Sequence, residues 1–167
     1  GLDVAIAMAS GKYTFTCPEV VNIKLRGKLK PWVSAKDIGL EILRRYGVRG
    51  GYGKVLEYTG EGVKTLSVYE RATIANTGTE TGATSSIFPA DERTQEFLRS
   101  HGRADDFAPL YPDEGAKYSE IWEINLDEIE PLVACPHSPG NVKKVSEIAG
   151  LKIDQVIVGS CTNSSYR

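Results

Sequence analysis

The sequence of 167 residues is short of cysteine, of histidine, of long apolar runs and of any excess of one charge. Its three cysteines, Cys17, Cys135 and Cys161, are an odd number spread across a chain too large to need bridges for its core, which excludes a disulfide scaffold and points to a reducing compartment. Cys17 and Cys135 lack the Cys-x-x-Cys spacing of a ligand pair and read as structural. The two histidines, His101 after a helix end and His137 between prolines, have no partner motif, so surface roles are expected for both. No stretch approaches the roughly 20 apolar residues that span a bilayer, and no charged-then-apolar leader stands at the front, so a soluble chain without a membrane partner is expected. Lysine and arginine number 20 against 22 acidic residues, a formal net charge of -2, and they are scattered. Such a balance argues against nucleic acid and leaves small molecules or protein as partners.

What is present is an ordinary globular mixture, 41% apolar and 25% charged, enough for one sizeable domain with flanking sequence. Residues 2–9 read as the last turns of a buried helix, ended by Gly11 as a left-handed cap. Val21, Ile23 and Leu25 alternate with polar residues as a half-buried strand should. Ser34 then caps a helix whose stripe is Ile38, Leu40, Ile42 and Leu43. Residues 54–58 make a second strand after the turn Gly50-Gly51-Tyr52-Gly53, which lacks the Lys-Ser/Thr of a phosphate loop. A helix is predicted over residues 69–82, broken by Gly78 and Gly82, leading into a short buried strand at 86–88. Asp91 or a neighbour caps a helix over 94–100, and residues 121–126 return as a strand. Lys24, Arg26, Lys28 and Lys30 read as a basic strand edge that discourages edge-to-edge pairing. A Pro-rich linker follows Cys135, then a short helix over 142–149 and an apolar strand at 156–158.

Strands alternating with helices predict an α/β fold, a layered αβα domain with a mostly parallel sheet, flanked by partial segments of neighbouring domains. The expected divisions are 1–18 as the end of a preceding domain, 19–135 as the α/β domain, 136–150 as linker and 151–167 as the start of a further α/β domain. The absence of an initiator Met and the stop just after a Ser- and Asn-rich loop read as the ends of a fragment.

Two constellations carry chemistry. Gly159-Ser160-Cys161-Thr162-Asn163-Ser164-Ser165 sets a cysteine among small hydroxyl residues. Such a loop lets backbone approach a bound group, leaves N–H and O–H donors free, and can hold Cys161 as a thiolate ligand. Arg71-Ala72-Thr73-Ile74-Ala75-Asn76-Thr77-Gly78-Thr79-Glu80, continued by Thr81-Gly82-Ala83-Thr84-Ser85-Ser86-Ile87-Phe88-Pro89, places Asn76 and Glu80 four apart, on one face of a helix. Glu80 can accept a hydrogen bond from a catalytic histidine or an iron-bound water, and the Asn76 amide can donate to a cluster sulfide.

Both strings resemble the aconitase superfamily, and the resemblance runs over nearly the whole chain. It implies that Cys161 is the first of three cysteine ligands of a 4Fe-4S cluster, that Asn76 lies against that cluster, and that Glu80 is catalytic, within an acid–histidine network. Thr77 and Thr79 stand where the family usually has Met and Ala. Within the superfamily, residues 82–89 look more like true aconitases than like isopropylmalate dehydratases. The resemblance therefore implies a tricarboxylic acid cycle hydro-lyase, cytoplasmic or in the mitochondrial matrix of a eukaryote, that interconverts citrate and isocitrate through cis-aconitate, its open iron acting as a Lewis acid. The alternatives are an isopropylmalate or homoaconitate dehydratase large subunit and an RNA-binding apo-aconitase regulator. A serine base, substrate-binding arginines, histidines and a downstream Cys-x-x-Cys are implied in the remaining domains of the parent, so this piece alone is expected to be inactive and to hold no complete cluster.

Overall fold

The alternation at the start of the predicted domain becomes the centre of a sheet. In the computed structural model, which describes residues 1–160 and 162, strand β1 (Glu19–Arg26) buries Val21, Ile23 and Leu25 completely on one face. Strand β2 (Lys54–Thr59) runs parallel to it, with Val21 opposite Leu56 and Ile23 opposite Tyr58. The short β3 (Ser85–Ile87) lies parallel along β2, and β4 (Glu120–Asn125) lies parallel on the far side of β1, with Ile23 opposite Trp122. The order is β3-β2-β1-β4. Parallel neighbours need crossover connections, and helices supply them. The α/β fold with a mostly parallel sheet is as expected.

Helix α1 (Leu2–Ser10) ends at Gly11, which is left-handed at φ 67° as predicted. Helix α2 (Ala35–Tyr46) begins at Ser34, whose backbone N–H and hydroxyl both donate to the Asp37 carboxylate, at 2.7 and 3.0 Å. Ile38 and Ile42 enter the main core beside Val21, Ile23, Leu56 and Trp122, while Leu40 and Leu43 pack with Leu132 in a second cluster. Helix α3 (Val68–Gly78) starts from the capping box of Ser67 and Glu70 and sends Ile74 into the core. Helix α4 (Glu92–Ser100) is capped by Asp91, which accepts from the Arg93 and Thr94 N–H groups at 3.1 and 3.4 Å.

Asp91 has a second duty. Its carboxylate oxygens accept from Arg71 Nη1 and Nη2 at 2.8 and 2.7 Å, and the same guanidinium donates to the carbonyls of Pro89 and Val63, each at 3.1 Å. Both side chains are buried, Arg71 at 4% and Asp91 at 2% exposure. Next to this clamp Phe88 stacks on Tyr58 with ring centroids 4.2 Å apart, fastening the segment after β3 to β2.

Several expectations give way here, each for want of a partner or because of one. The predicted helix over 142–149 is instead strand β6 (Val142–Lys144) followed by a 3-10 turn, Val145–Ile148. Strand β6 pairs antiparallel with β5 (Leu132–Ala134) because Val142 finds the apolar pocket of Leu40, Leu43 and Leu132, and Lys144 reaches Glu130 at 2.6 Å. The strand expected at 156–158 does not form. Its neighbourhood, residues 151–160, has no regular strand or helix, and with no strand beside it among the described residues Val158 stands 89% exposed.

Strand β3 is an edge strand rather than a buried one, and the predicted buried helix at the start, α1, has no buried residue. Lys24 and Arg26 lie on the central strand, not on an edge, where both pair with Glu123 of β4. The long helix expected over 69–82 stops at Gly78 and tightens into the 3-10 turn Thr79–Thr81, since the Thr79 and Thr81 hydroxyls take the carbonyls of Asn76 and Gly78 at 2.7 and 2.6 Å. No helix among the described residues is long and apolar enough to cross a membrane.

Burial pushes the Asp91 carboxyl up, but the Arg71 hydrogen bonds and charge, with the Thr94 and Arg93 N–H groups, outweigh it and hold it below its ordinary value. A carboxyl depressed on folding contributes stability that is complete above its unfolded value and is lost as pH falls through the folded one. Asp91→Asn should therefore cost roughly 3–5 kcal/mol at neutral pH by stranding a buried guanidinium. Denaturant titrations should show that cost shrinking once pH falls below about 4; a cost independent of pH would contradict the assignment.

Candidate functional site

The two helices that build the site meet through a glycine. A Cβ on Gly39 of α2 would stand 2.5 Å from Cγ2 of Thr77 on α3, so only glycine allows this approach. Gly78 is similarly tight, with Ser86 Oγ 2.6 Å from where its Cβ would be. The first turn of α2 is pinned as well, because Asp37 is buried and its second oxygen accepts from the Leu132 N–H at 2.8 Å. Between the start of α2, the end of α3, β5 and the loop near position 160 lies a cavity of about 270 Å³.

Lys36, Asn76 and Glu80 line this cavity together with Ser160 and Thr162. The two constellations read in the sequence thus meet in one place, although Glu80 stands on the 3-10 turn rather than on the helix face expected for it. Its threonines are turned away from any ligand: Thr73 and Thr77 hydroxyls donate to the Tyr69 and Thr73 carbonyls at 3.1 and 2.9 Å. Asn76, Glu80 and Lys36 are exposed, and among the described residues no hydrogen bond or ion pair engages their side-chain polar ends. Lys36 was invisible to sequence reasoning, because a lysine in the first turn of a helix carries no motif.

Cys161 lies outside the described residues, as do Asn163, Ser164 and Ser165. Its two neighbours are described, and the Thr162 N–H donates to Ser160 Oγ at 3.1 Å. Cys17 is exposed and Cys135 half-buried, and neither lines the cavity. Among the described residues no group of three or more His, Cys, Asp or Glu side chains could hold a metal ion. They do not by themselves make a cluster site, and no reaction step is routed through one.

A larger cavity, about 400 Å³, opens on the other face of the sheet beside Glu57, Tyr111, Asp113 and Tyr118. Burial pushes the Glu57 carboxyl up; the Tyr118 hydrogen bond opposes this, and nearby Asp113 adds to it. Of the two constellations only the apolar tail Ile87-Phe88-Pro89 reaches that cavity, whereas Asn76, Glu80 and both described neighbours of Cys161 line the smaller one, which is therefore the candidate site.

Residues 1–167 match the aconitase family (aconitate hydratase), and the chain belongs to that family. Its relatives narrow the class. It is 46% identical over 161 residues to a 3-isopropylmalate dehydratase large subunit of Thermoanaerobacter sp. (strain X514), and equally so to one of Clostridium kluyveri. It is 47% identical over 162 residues to one of Caldicellulosiruptor saccharolyticus. In each case 96% of this chain is covered but 38% of the relative, so the chain spans well under half the length of the proteins it matches. These names favour the dehydratase alternative over the citrate–isocitrate reading that residues 82–89 suggested.

Gly39→Ala should cost roughly 1–3 kcal/mol by forcing α2 off α3. Adding Thr77→Ala should recover part of that loss, and a double-mutant cycle by chemical denaturation checks it, since strict additivity would mean that the two residues do not press on each other.

Proposed function

We propose that the parent protein is the large subunit of a hydro-lyase that dehydrates 3-isopropylmalate, and that it works with a smaller partner subunit. The observation that carries this reading is the similarity of 96% of the chain to proteins of that name. The cavity shared by the Asn76–Glu80 turn and the loop around position 161 supports it, because it gathers a carboxylate, an amide and hydroxyl residues at one opening.

In this reading Cys161 is one thiolate ligand of a 4Fe-4S cluster whose remaining ligands come from the rest of the parent. The Asn76 amide donates a hydrogen bond toward that group, and Glu80 holds a histidine of another segment in the orientation and protonation state that proton transfer needs. The division at residues 19–135 and 151–167 belongs to the same proposal, with the cavity at the meeting of the two parts.

The test is turnover by the full-length parent, assembled with its partner subunit and loaded with cluster, on 3-isopropylmalate and on citrate. Faster turnover of 3-isopropylmalate is expected, and a preference for citrate would return the assignment to aconitase proper. In the same assay Glu80→Gln should lower kcat by roughly 10²–10⁴-fold, the usual worth of a positioned acid–base group. Its exposure means that the thermal midpoint should hardly move.

A further inference from the structure

We propose that Lys36 is a carboxylate-binding residue of this cavity, the cation that receives one acid group of a dianionic hydroxy acid. The proposal deepens the dehydratase reading and rests on it only for the identity of the acid.

Lys36 is the one cation among the described residues that line the cavity, and Glu80 is the one anion. They do not pair with each other. Lys24, Lys54, Lys144 and Lys152 each find a carboxylate; Lys36, like several other lysines, has none among the described residues, and it is the one that lines this cavity with Asn76 and Glu80. The threonine hydroxyls on the α3 wall already donate to their own helix and leave the walls with three unengaged polar ends, an ammonium, an amide and a carboxylate. A dianionic acid entering beside Glu80 meets like charge, and the cation that α2 contributes to the same cavity offsets it.

The lysine is also well mounted. Ser34 and Asp37 close the first turn of α2 around it, Asp37 ties that turn to β5, and the Gly39–Thr77 contact fixes the turn against the helix that carries Asn76. The stem therefore starts from a fixed point, and the ammonium can donate a charge-assisted hydrogen bond to a carboxylate without reordering the backbone.

The experiment uses the full-length, cluster-loaded enzyme with its partner subunit, as wild type, Lys36→Met and Lys36→Arg. Calorimetry measures the Kd of 2-isopropylsuccinate, a dicarboxylate that lacks the hydroxyl and so cannot be dehydrated, and kinetics measure KM and kcat for 3-isopropylmalate. Loss of one charge-assisted hydrogen bond should raise Kd and KM roughly 10- to 100-fold in the Met variant. There kcat should change by less than about threefold, and Arg should return Kd to within about threefold of wild type.

A Met variant whose Kd stays within about twofold of wild type overturns the proposal, as does an Arg variant as weak as Met or a loss confined to kcat. Wild type that fails to bind 2-isopropylsuccinate counts against the substrate reading, and the same three proteins are then titrated with citrate, where a Met variant that binds within about twofold of wild type overturns the role of Lys36. If wild type binds that dicarboxylate through Lys36 but does not turn over 3-isopropylmalate, the substrate reading falls while the role of Lys36 stands.

Discussion

A guanidinium removed from water must meet its carboxylate or cost the fold several kcal/mol, and in this protein Arg71 and Asp91 face that condition together. The pair fixes how α3 sits, because the fork of Arg71 has to reach both oxygens of Asp91 while also meeting the carbonyls of Val63 and Pro89. Asp91 in turn caps α4. One ion pair thus sets the rotation of α3, the path of the chain after β2 and after β3, and the start of α4. Asn76 follows Arg71 on that same helix, so the position of the candidate site is inherited from a buried charge that does not line its cavity.

Close packing then shapes the cavity from the other side. Gly39 lets α2 approach Thr77, Gly78 lets α3 approach Ser86, and Asp37 holds the start of α2 to β5. Threonine hydroxyls along α3 and its 3-10 extension satisfy carbonyls of their own turns. The polar ends left over are those of Lys36, Asn76 and Glu80, and they are left over at one opening.

The substrate question shows which residues inform on function. Residues 82–89 pointed to aconitase proper, yet in the structure they serve the scaffold: Gly82 makes a left-handed turn, the Thr84 N–H donates to the Lys54 carbonyl at 2.8 Å, and Phe88 stacks on Tyr58. Residues that hold a sheet edge to its neighbour are under the same packing demand whatever acid the enzyme takes. Choice of substrate rests on groups that touch it. Similarity across 161 residues to dehydratase large subunits therefore outweighs the likeness of one packed stretch.

Local patterns were legible from the start. Period-two alternation marked β1, bounding glycine turns marked β2, and capping residues marked the starts of α2 and α4, because propensity and periodicity act within a few neighbouring residues. The strings that hold Asn76, Glu80 and Cys161 were legible as candidate chemistry because each is a contiguous motif. Pairing and burial are settled by distant segments, so β6 read as a helix until Leu40, Leu43 and Leu132 supplied a pocket for Val142, and an apolar run at 156–158 read as a strand that finds no neighbour. The amino-acid sequence alone determined the elements β1, α2, β2, α4 and β4, the family and the residue types able to do chemistry. Only the tertiary structure decided that Lys36, far from Asn76 in the chain, shares a cavity with it, because the packing of α2 on α3 and β5 brings them together.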